Sequence, residues 1–271
     1  MPLSNYHTHT TYCDGESTPR ELVEAAIGLG MPELGFSSHS PLDGEDWCMS
    51  NEDVPRYFAE ISALKDEYRG KINLFVGLEA DYMSEKTDLT FDYVIGSVHS
   101  VKTPDGERFV DISPEGLRET VDRYFLGDVY ALAEAYYERV GGVVLRTGCD
   151  IIGHFDLITK FTERGVPISD SHPRYVAAQD RALDRLFSTN AVFEVNTGAM
   201  ARGYRSEPYP NMRVLERIRD AGRPVVVTTD CHSSIGIAHA LDETRERLES
   251  LGLRIIDSMD KILEITRKRH I

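Results

Sequence analysis

The sequence lacks any uninterrupted apolar run near the roughly 20 residues that a membrane-spanning helix needs, which argues against a helical membrane protein. Its first residues, Met1-Pro2-Leu3-Ser4-Asn5, carry neither the basic nor the apolar segment of a secretion signal, so a cytoplasmic location is expected. Cysteine is sparse. Cys13, Cys48, Cys149 and Cys231 form no CxxC pair, which excludes a disulfide framework and a thiolate zinc ribbon and predicts reduced thiols. Positive charge is also in deficit: 30 Lys and Arg face 45 Asp and Glu, a formal net charge of −15. Such a field repels phosphate backbones and anionic lipid, so neither nucleic acid nor membrane is expected as a partner. A small anionic substrate meets a lesser obstacle, because bound divalent cations invert the field inside a pocket. Linkers, low-complexity tracts and fixed-period repeats are missing too. With 41% apolar and 28% charged residues, the 271-residue chain reads as one globular domain over 1–271, although length alone would allow two.

What is present is an alternation of short apolar runs with amphipathic stretches of helical period, the pattern of βα units around a mainly parallel sheet. Strands are predicted at Ser4 to His9, Glu33 to Ser38, Ile72 to Glu79, Tyr93 to Val98, Ile151 to His154, Val192 to Asn196 and Val225 to Thr229, with a further one at Arg254 to Ile256. Helices are predicted from the Thr18-Pro19-Arg20-Glu21 capping signal to about Gly28, and over Asp53 to Tyr68, Pro114 to Val140 with a break near Gly127, Pro173 to Ser188, Asn211 to Ala221, Ile235 to Leu251 and Ser258 to Lys268. Seven or eight strands suit a closed α/β barrel. The polar stretches Ser40 to Asn51, Val101 to Glu115 and Ala199 to Pro210 are expected as βα loops around its mouth.

Against these strands the metal-capable residues fall in one place. His7 and His9 end the first strand and Asp14 follows; His39 follows the second, Glu79 ends the third, His99 follows the fourth, His154 ends the fifth, and Asp230 and His232 follow the seventh. Six of the nine histidines thus sit at carboxyl ends of predicted parallel strands, where a barrel gathers its catalytic groups. In extended chain, residues two apart share a side, so His7 with His9, and Asp230 with His232, reach one ion together. Singly, each has an ordinary reading: His99 or His154 as a hydrogen-bonded core histidine, Asp14-Gly15 as a turn, Glu79 as an arginine partner. Jointly, nine polar groups at one end of a sheet without a common partner would cost several kcal/mol each where buried. Imidazole with carboxylate suits two to three divalent transition-metal ions, zinc, iron or manganese.

The order Tyr6-His7-Thr8-His9-Thr10, Asp14-Gly15, Ser38-His39-Ser40, Gly77-Leu78-Glu79, Gly96-Ser97-Val98-His99, Ile152-Gly153-His154 and Thr229-Asp230-Cys231-His232 resembles the polymerase and histidinol phosphatase family over nearly the whole chain. That resemblance implies a distorted (β/α)7 TIM-like barrel holding up to three ions. It gives one ion to His7, His9, Glu79 and Asp230, a second to Glu79, His99 and His154, and a third to Asp14, His39 and His232. Many family members have histidine where this chain has Asp14, a harder ligand. Within the family the segments His154-Phe155-Asp156-Leu157-Ile158-Thr159-Lys160, Glu194-Val195-Asn196-Thr197-Gly198 and Arg202 through Pro210 look most like the stand-alone histidinol phosphatases. The implied activity is hydrolysis of a small phosphate monoester, foremost L-histidinol phosphate, by a metal-activated water. Arg202, Arg205 and Lys160 are candidate grips for phosphate oxygens; the ordinary reading is a solvated loop for the two arginines and a surface segment for the lysine. For the leaving-group proton a metal-held water, Asp156 and a nearby histidine stay open. Other members act on DNA ends or phosphotyrosine, and a catalytically silent metal-binding barrel is the reading from another class. Nothing in the pattern sets an oligomeric state.

Overall fold

A computed structural model describes residues 3–267. Nine strands are formed: β1 Glu33–Phe36, β2 Asn73–Asp81, β3 Tyr93–Ser97, β4 Ser100–Thr103, β5 Gly106–Phe109, β6 Ile151–Ile152, β7 Val192–Asn196, β8 Pro224–Thr228 and β9 Arg254–Ile255. Seven of them make one curled parallel sheet in the order β1-β2-β3-β6-β7-β8-β9, while β4 and β5 pair as a separate antiparallel hairpin. The helices are α1 Pro19–Gly28, α2 Asp53–Glu67, α3 Pro114–Tyr124, α4 Val129–Val140, α5 Val143–Thr147, α6 Pro173–Phe187, α7 Gly198–Ala201, α8 Met212–Asp220, α9 Leu241–Ser250 and α10 Met259–Thr266. No helix among the described residues is long and apolar enough to cross a membrane.

Local chemistry sets the boundaries. Thr18 and Glu21 form the expected capping box, with Pro19 in the first turn of α1. Ser113, Asp128 and Asn211 cap α3, α4 and α8 through their side-chain oxygens. Gly127, at φ 78°, ends the turn between α3 and α4 where the break was expected. The strands of the parallel sheet read as continuous apolar runs because both faces are covered: every residue of β7 and of β8 is buried.

Three expectations change. Ser4 to His9 is extended but is no continuous strand. It bridges Leu34 of β1 through Asn5, and Cys231 just past β8 through Thr8. The Asn5 amide takes over part of the ladder's work, donating to Thr229 Oγ1 and Ile237 O and accepting from the backbone N–H groups of Thr229 and His7. This segment fills the upper gap between β1 and β8, while β9 pairs with the lower end of β8, and so the barrel closes. The predicted loop Val101 to Glu115 holds most of the β4–β5 hairpin, turned at Pro104-Asp105. The predicted helix Ile235 to Leu251 starts only at Leu241, because Ala240 takes a left-handed φ of 54°. The end of the last predicted helix, at Lys268, lies outside the described residues, as do Met1 and Pro2 of the leader reading.

Candidate metal centre

Each of the nine predicted metal-capable residues comes from the carboxyl-end rim of this barrel. The extended N-terminal segment supplies His7 and His9, and the turn behind it Asp14. Segments just past β1, β3, β6 and β8 supply His39, His99, His154, and Asp230 with His232, while Glu79 lies near the end of β2. All but Asp14 and His232 are buried, His7 and His9 completely. Asp230 holds a left-handed φ of 47°, a strained backbone state that aspartate tolerates better than most residues.

Glu79 is the hub. Its Oε2 lies 3.2 Å from His7 Nε2, 3.5 Å from His9 Nε2 and 2.8 Å from His39 Nδ1; its Oε1 lies 3.0 Å from His154 Nε2 and 3.6 Å from His99 Nε2. Asp230 Oδ1 stands 3.1 Å from His9 Nε2 and 3.7 Å from His7 Nε2. Asp14 Oδ2 stands 3.2 Å from His232 Nε2. Despite this crowding, His7 Nε2, His9 Nε2, Glu79 Oε2 and His154 Nδ1 are buried without a hydrogen-bond partner. Close approach without hydrogen-bond geometry is what lone pairs converging on a shared point produce, and a buried polar atom left bare is costly. Ligand atoms cluster closely enough for an ion in three sets: His7, His9 and Asp230; His39, Glu79 and His99; and His9, Asp14, His39 and His232. The donor set therefore fits transition-metal cations. It differs in detail from the sets implied by family resemblance, since His39 also joins Glu79 and His99 while His154 touches Glu79 from outside that set.

The imidazoles and carboxylates of the cluster perturb one another strongly. Burial alone would lower the His7 pKa, but Glu194, Glu79 and Asp230 reverse this and hold it well above the usual imidazole value. His9 is pushed down to about 3 by burial and by the neighbouring His232 and His39 rings. Burial disfavours the Glu79 anion, yet His7, His39 and His154 keep its pKa well below the usual carboxylate range. The Glu79 carboxylate is thus held ionised, the form a metal ligand requires.

Several groups that sequence spacing did not single out orient this cluster. Glu194 accepts from His7 Nδ1 at 2.6 Å, the His154 backbone N–H at 2.6 Å, Thr228 Oγ1 at 2.7 Å and Asn196 Nδ2 at 3.1 Å. Asp81 takes His99 Nδ1 at 2.9 Å, and Ser97 Oγ donates to Glu79 Oε1 at 2.5 Å. Fixing Nδ1–H in this way leaves Nε2 of His7 and of His99 free to ligate. A carboxylate inside a fully buried strand, as in Val-Phe-Glu194-Val-Asn, was the available signal.

The three candidate phosphate grips part company. Arg202 reaches the cluster: its guanidinium donates to Asp230 O at 3.0 Å, pairs with Asp230 Oδ2 at 3.2 Å and stands 2.9 Å from His232 Nδ1. Lys160 points to Asp111 O at 2.8 Å and lies 5.2 Å from the Tyr204 ring centre. Arg205 bonds the Thr159 hydroxyl and carbonyl and Glu207 O and lies over the Tyr209 ring at 4.8 Å, so it ties its loop to the segment that follows β6. Asp156, an open choice for the acid, is fully buried and accepts from the Asn211 backbone N–H.

The chain is similar to known proteins along its length. It is 30% identical over 266 residues to a Deinococcus radiodurans protein named "Probable histidinol-phosphatase", covering 94% of this chain and 95% of that protein. It is 26% identical over 271 residues to the Bacillus subtilis histidinol-phosphatase, covering 91% of this chain and 100% of that one. The crystal structure of histidinol phosphate phosphatase from Lactococcus lactis, complexed with zinc, L-histidinol and phosphate, superposes with a TM-score of 0.69 at 22% identity over 94% of this chain and 95% of its own, which establishes a shared fold. The PHP domain model matches residues 5–198, well over half of the sequence, and the chain belongs to the PHP domain family.

Proposed function

We propose that residues 1–271 form one phosphatase barrel that hydrolyses L-histidinol phosphate to L-histidinol and inorganic phosphate. The observation that carries this reading is the convergence of buried, partnerless imidazole and carboxylate atoms on Glu79, in a chain whose relatives over nearly full length are named histidinol-phosphatases. Zinc, iron or manganese, two to three ions per chain, is the cofactor set the donors favour. When bound, such ions lower the pKa of water toward neutrality and offset phosphate charge.

His7, His9, Glu79 and Asp230 would hold one ion, Glu79, His99 and His154 a second, and Asp14, His39 and His232 a third. Glu194 and Asp81 keep His7 and His99 in the ligating tautomer. Arg202, adjacent to Asp230 and His232, is the side chain best situated to bind phosphate oxygens as charge shifts in the transition state. Lys160, backed by Asp111, is a second cation for the same purpose, and Arg205 supports the loop that carries Arg202. The small anionic ester fits a cationic centre inside an otherwise acidic chain, and nucleic acid is disfavoured by the net charge of −15. Four free cysteines fit a reducing cytoplasm.

The test is elemental analysis of protein purified without chelator, together with phosphate release from L-histidinol phosphate, a phosphotyrosine peptide and single-stranded DNA. Two to three transition-metal equivalents and a clear preference for L-histidinol phosphate are expected. A rate on L-histidinol phosphate no better than on the peptide would defeat the substrate assignment, and metal-free active protein would defeat the ligand assignment.

A further inference from the structure

The chain has one tryptophan, Trp47, in the loop that follows β1. The loop is pinned at both ends: Ser40 N–H donates to Glu79 O at 2.9 Å, Met49 N–H donates to His39 O at 3.2 Å, and Cys48 and Met49 are buried. The indole itself is fixed by Nε1–H donating to Glu45 Oε2 at 2.8 Å. In that position it meets three rings at steep angles: His39 with centroids 4.7 Å apart at 88°, His99 at 5.5 Å and 65°, and Phe109 of β5 at 5.5 Å and 89°. Trp47 is only half-buried, so part of the indole stays open beside two imidazoles of the metal centre.

A phosphate ester held at that centre extends its alcohol portion outward past the walls of the mouth. A fixed indole attracts cations over its face and aromatic rings at its face or edge, each worth about 0.5–2 kcal/mol. The same loop carries Asp43 and Glu45, whose charge disfavours an anionic alcohol group. We propose that Trp47 is a specificity-determining residue that reads the alcohol half of the substrate and selects phosphate monoesters bearing a cationic or imidazole ring. This rests on the function proposed above. Had Trp47 only the role of shielding His39 and His99 from water, its loss would slow every ester by a similar factor.

Because all tryptophan emission comes from this one side chain, binding is read directly on the metal-replete wild-type protein. Titration with L-histidinol should change the emission saturably, and ethanolamine, a cation without a ring, should change it less. In steady-state assays the ratio of kcat/KM for L-histidinol phosphate over 2-aminoethyl phosphate should fall about tenfold in Trp47→Leu, with much of it restored in Trp47→Phe. Emission that ignores L-histidinol, or a wild-type ratio preserved in Trp47→Leu, overturns the inference and leaves the proposed function standing. A wild-type protein without preference for L-histidinol phosphate over 2-aminoethyl phosphate overturns both. If Trp47→Leu fails to fold, the titration still decides.

Discussion

Glu194 binds four donors with two oxygens, and two of those donors belong to His7 and His154, which reach the rim from opposite ends of the first 154 residues. Replacing it by glutamine keeps the size but turns one acceptor into a donor facing His7 Nδ1 or the His154 N–H. Loss of such an outer partner weakens metal binding by about 10- to 100-fold. Glu194→Gln should therefore surrender its ions to a chelator at correspondingly lower concentration, measured by dye competition; wild-type retention would deny Glu194 its orienting role. The nine rim residues were legible in sequence because histidine and carboxylate at strand ends are rare enough to register against an apolar background. Glu194 and Asp81 were not, since each reads as an isolated acid within or beside an apolar strand, and only folding shows which imidazole it faces. Arg205 shows what spacing leaves open: it places the residue on the loop, but a long guanidinium side chain follows local acceptors such as the Thr159 carbonyl, which spacing cannot reveal.

Among the elements, β1 and β2 lie unusually close to the Tyr93 ring of β3. Gly77 has no side chain where a Cβ would stand 2.3 Å from Tyr93 Cζ and 2.6 Å from Phe36 O. Tyr93 is fully buried, and its hydroxyl reaches the carbonyls of Tyr6 and Phe36, so it joins the N-terminal segment to the sheet and has no room to yield. Overpacking of this kind costs about 1–3 kcal/mol. Gly77→Ala should lower the melting temperature by roughly 2 to 12 °C at 2–4 °C per kcal/mol, and an unchanged melt would show that Tyr93 moves freely. Most helices and strands were readable from period and capping residues, to within a few positions. The N-terminal segment was read as one of the strands of the βα pattern, whereas its hydrogen bonds run partly through the Asn5 side chain. The β4–β5 hairpin was hidden in a polar stretch whose Pro104-Asp105-Gly106 run, with the turn at its first two residues, was the overlooked signal.

At the scale of the molecule, the proposed ions would tie together segments far apart in the sequence. His7 and His9 come from the N-terminal segment, Glu79 from β2 and Asp230 from beyond β8, so one ion would bridge three parts of the barrel. Cations that bind only the folded chain stabilise it by mass action, about 4 kcal/mol when their concentration is a thousand times Kd. Stripping them with chelator should then lower the melting temperature by roughly 8 to 16 °C, reversed by adding back zinc or manganese; identical melts with and without chelator would rule out a bridging role. The barrel's last seam also joins partners separated by almost the entire polypeptide: Asn5 bonds Thr229, 224 positions away. A chain made only as far as β8 therefore possesses two imidazoles, His7 and His9, with no Asp230 opposite them. Copies cut short of that stave would carry an unfinished pocket, deprived of the two groups, Asp230 and His232, that complete two of its three ion-sized clusters.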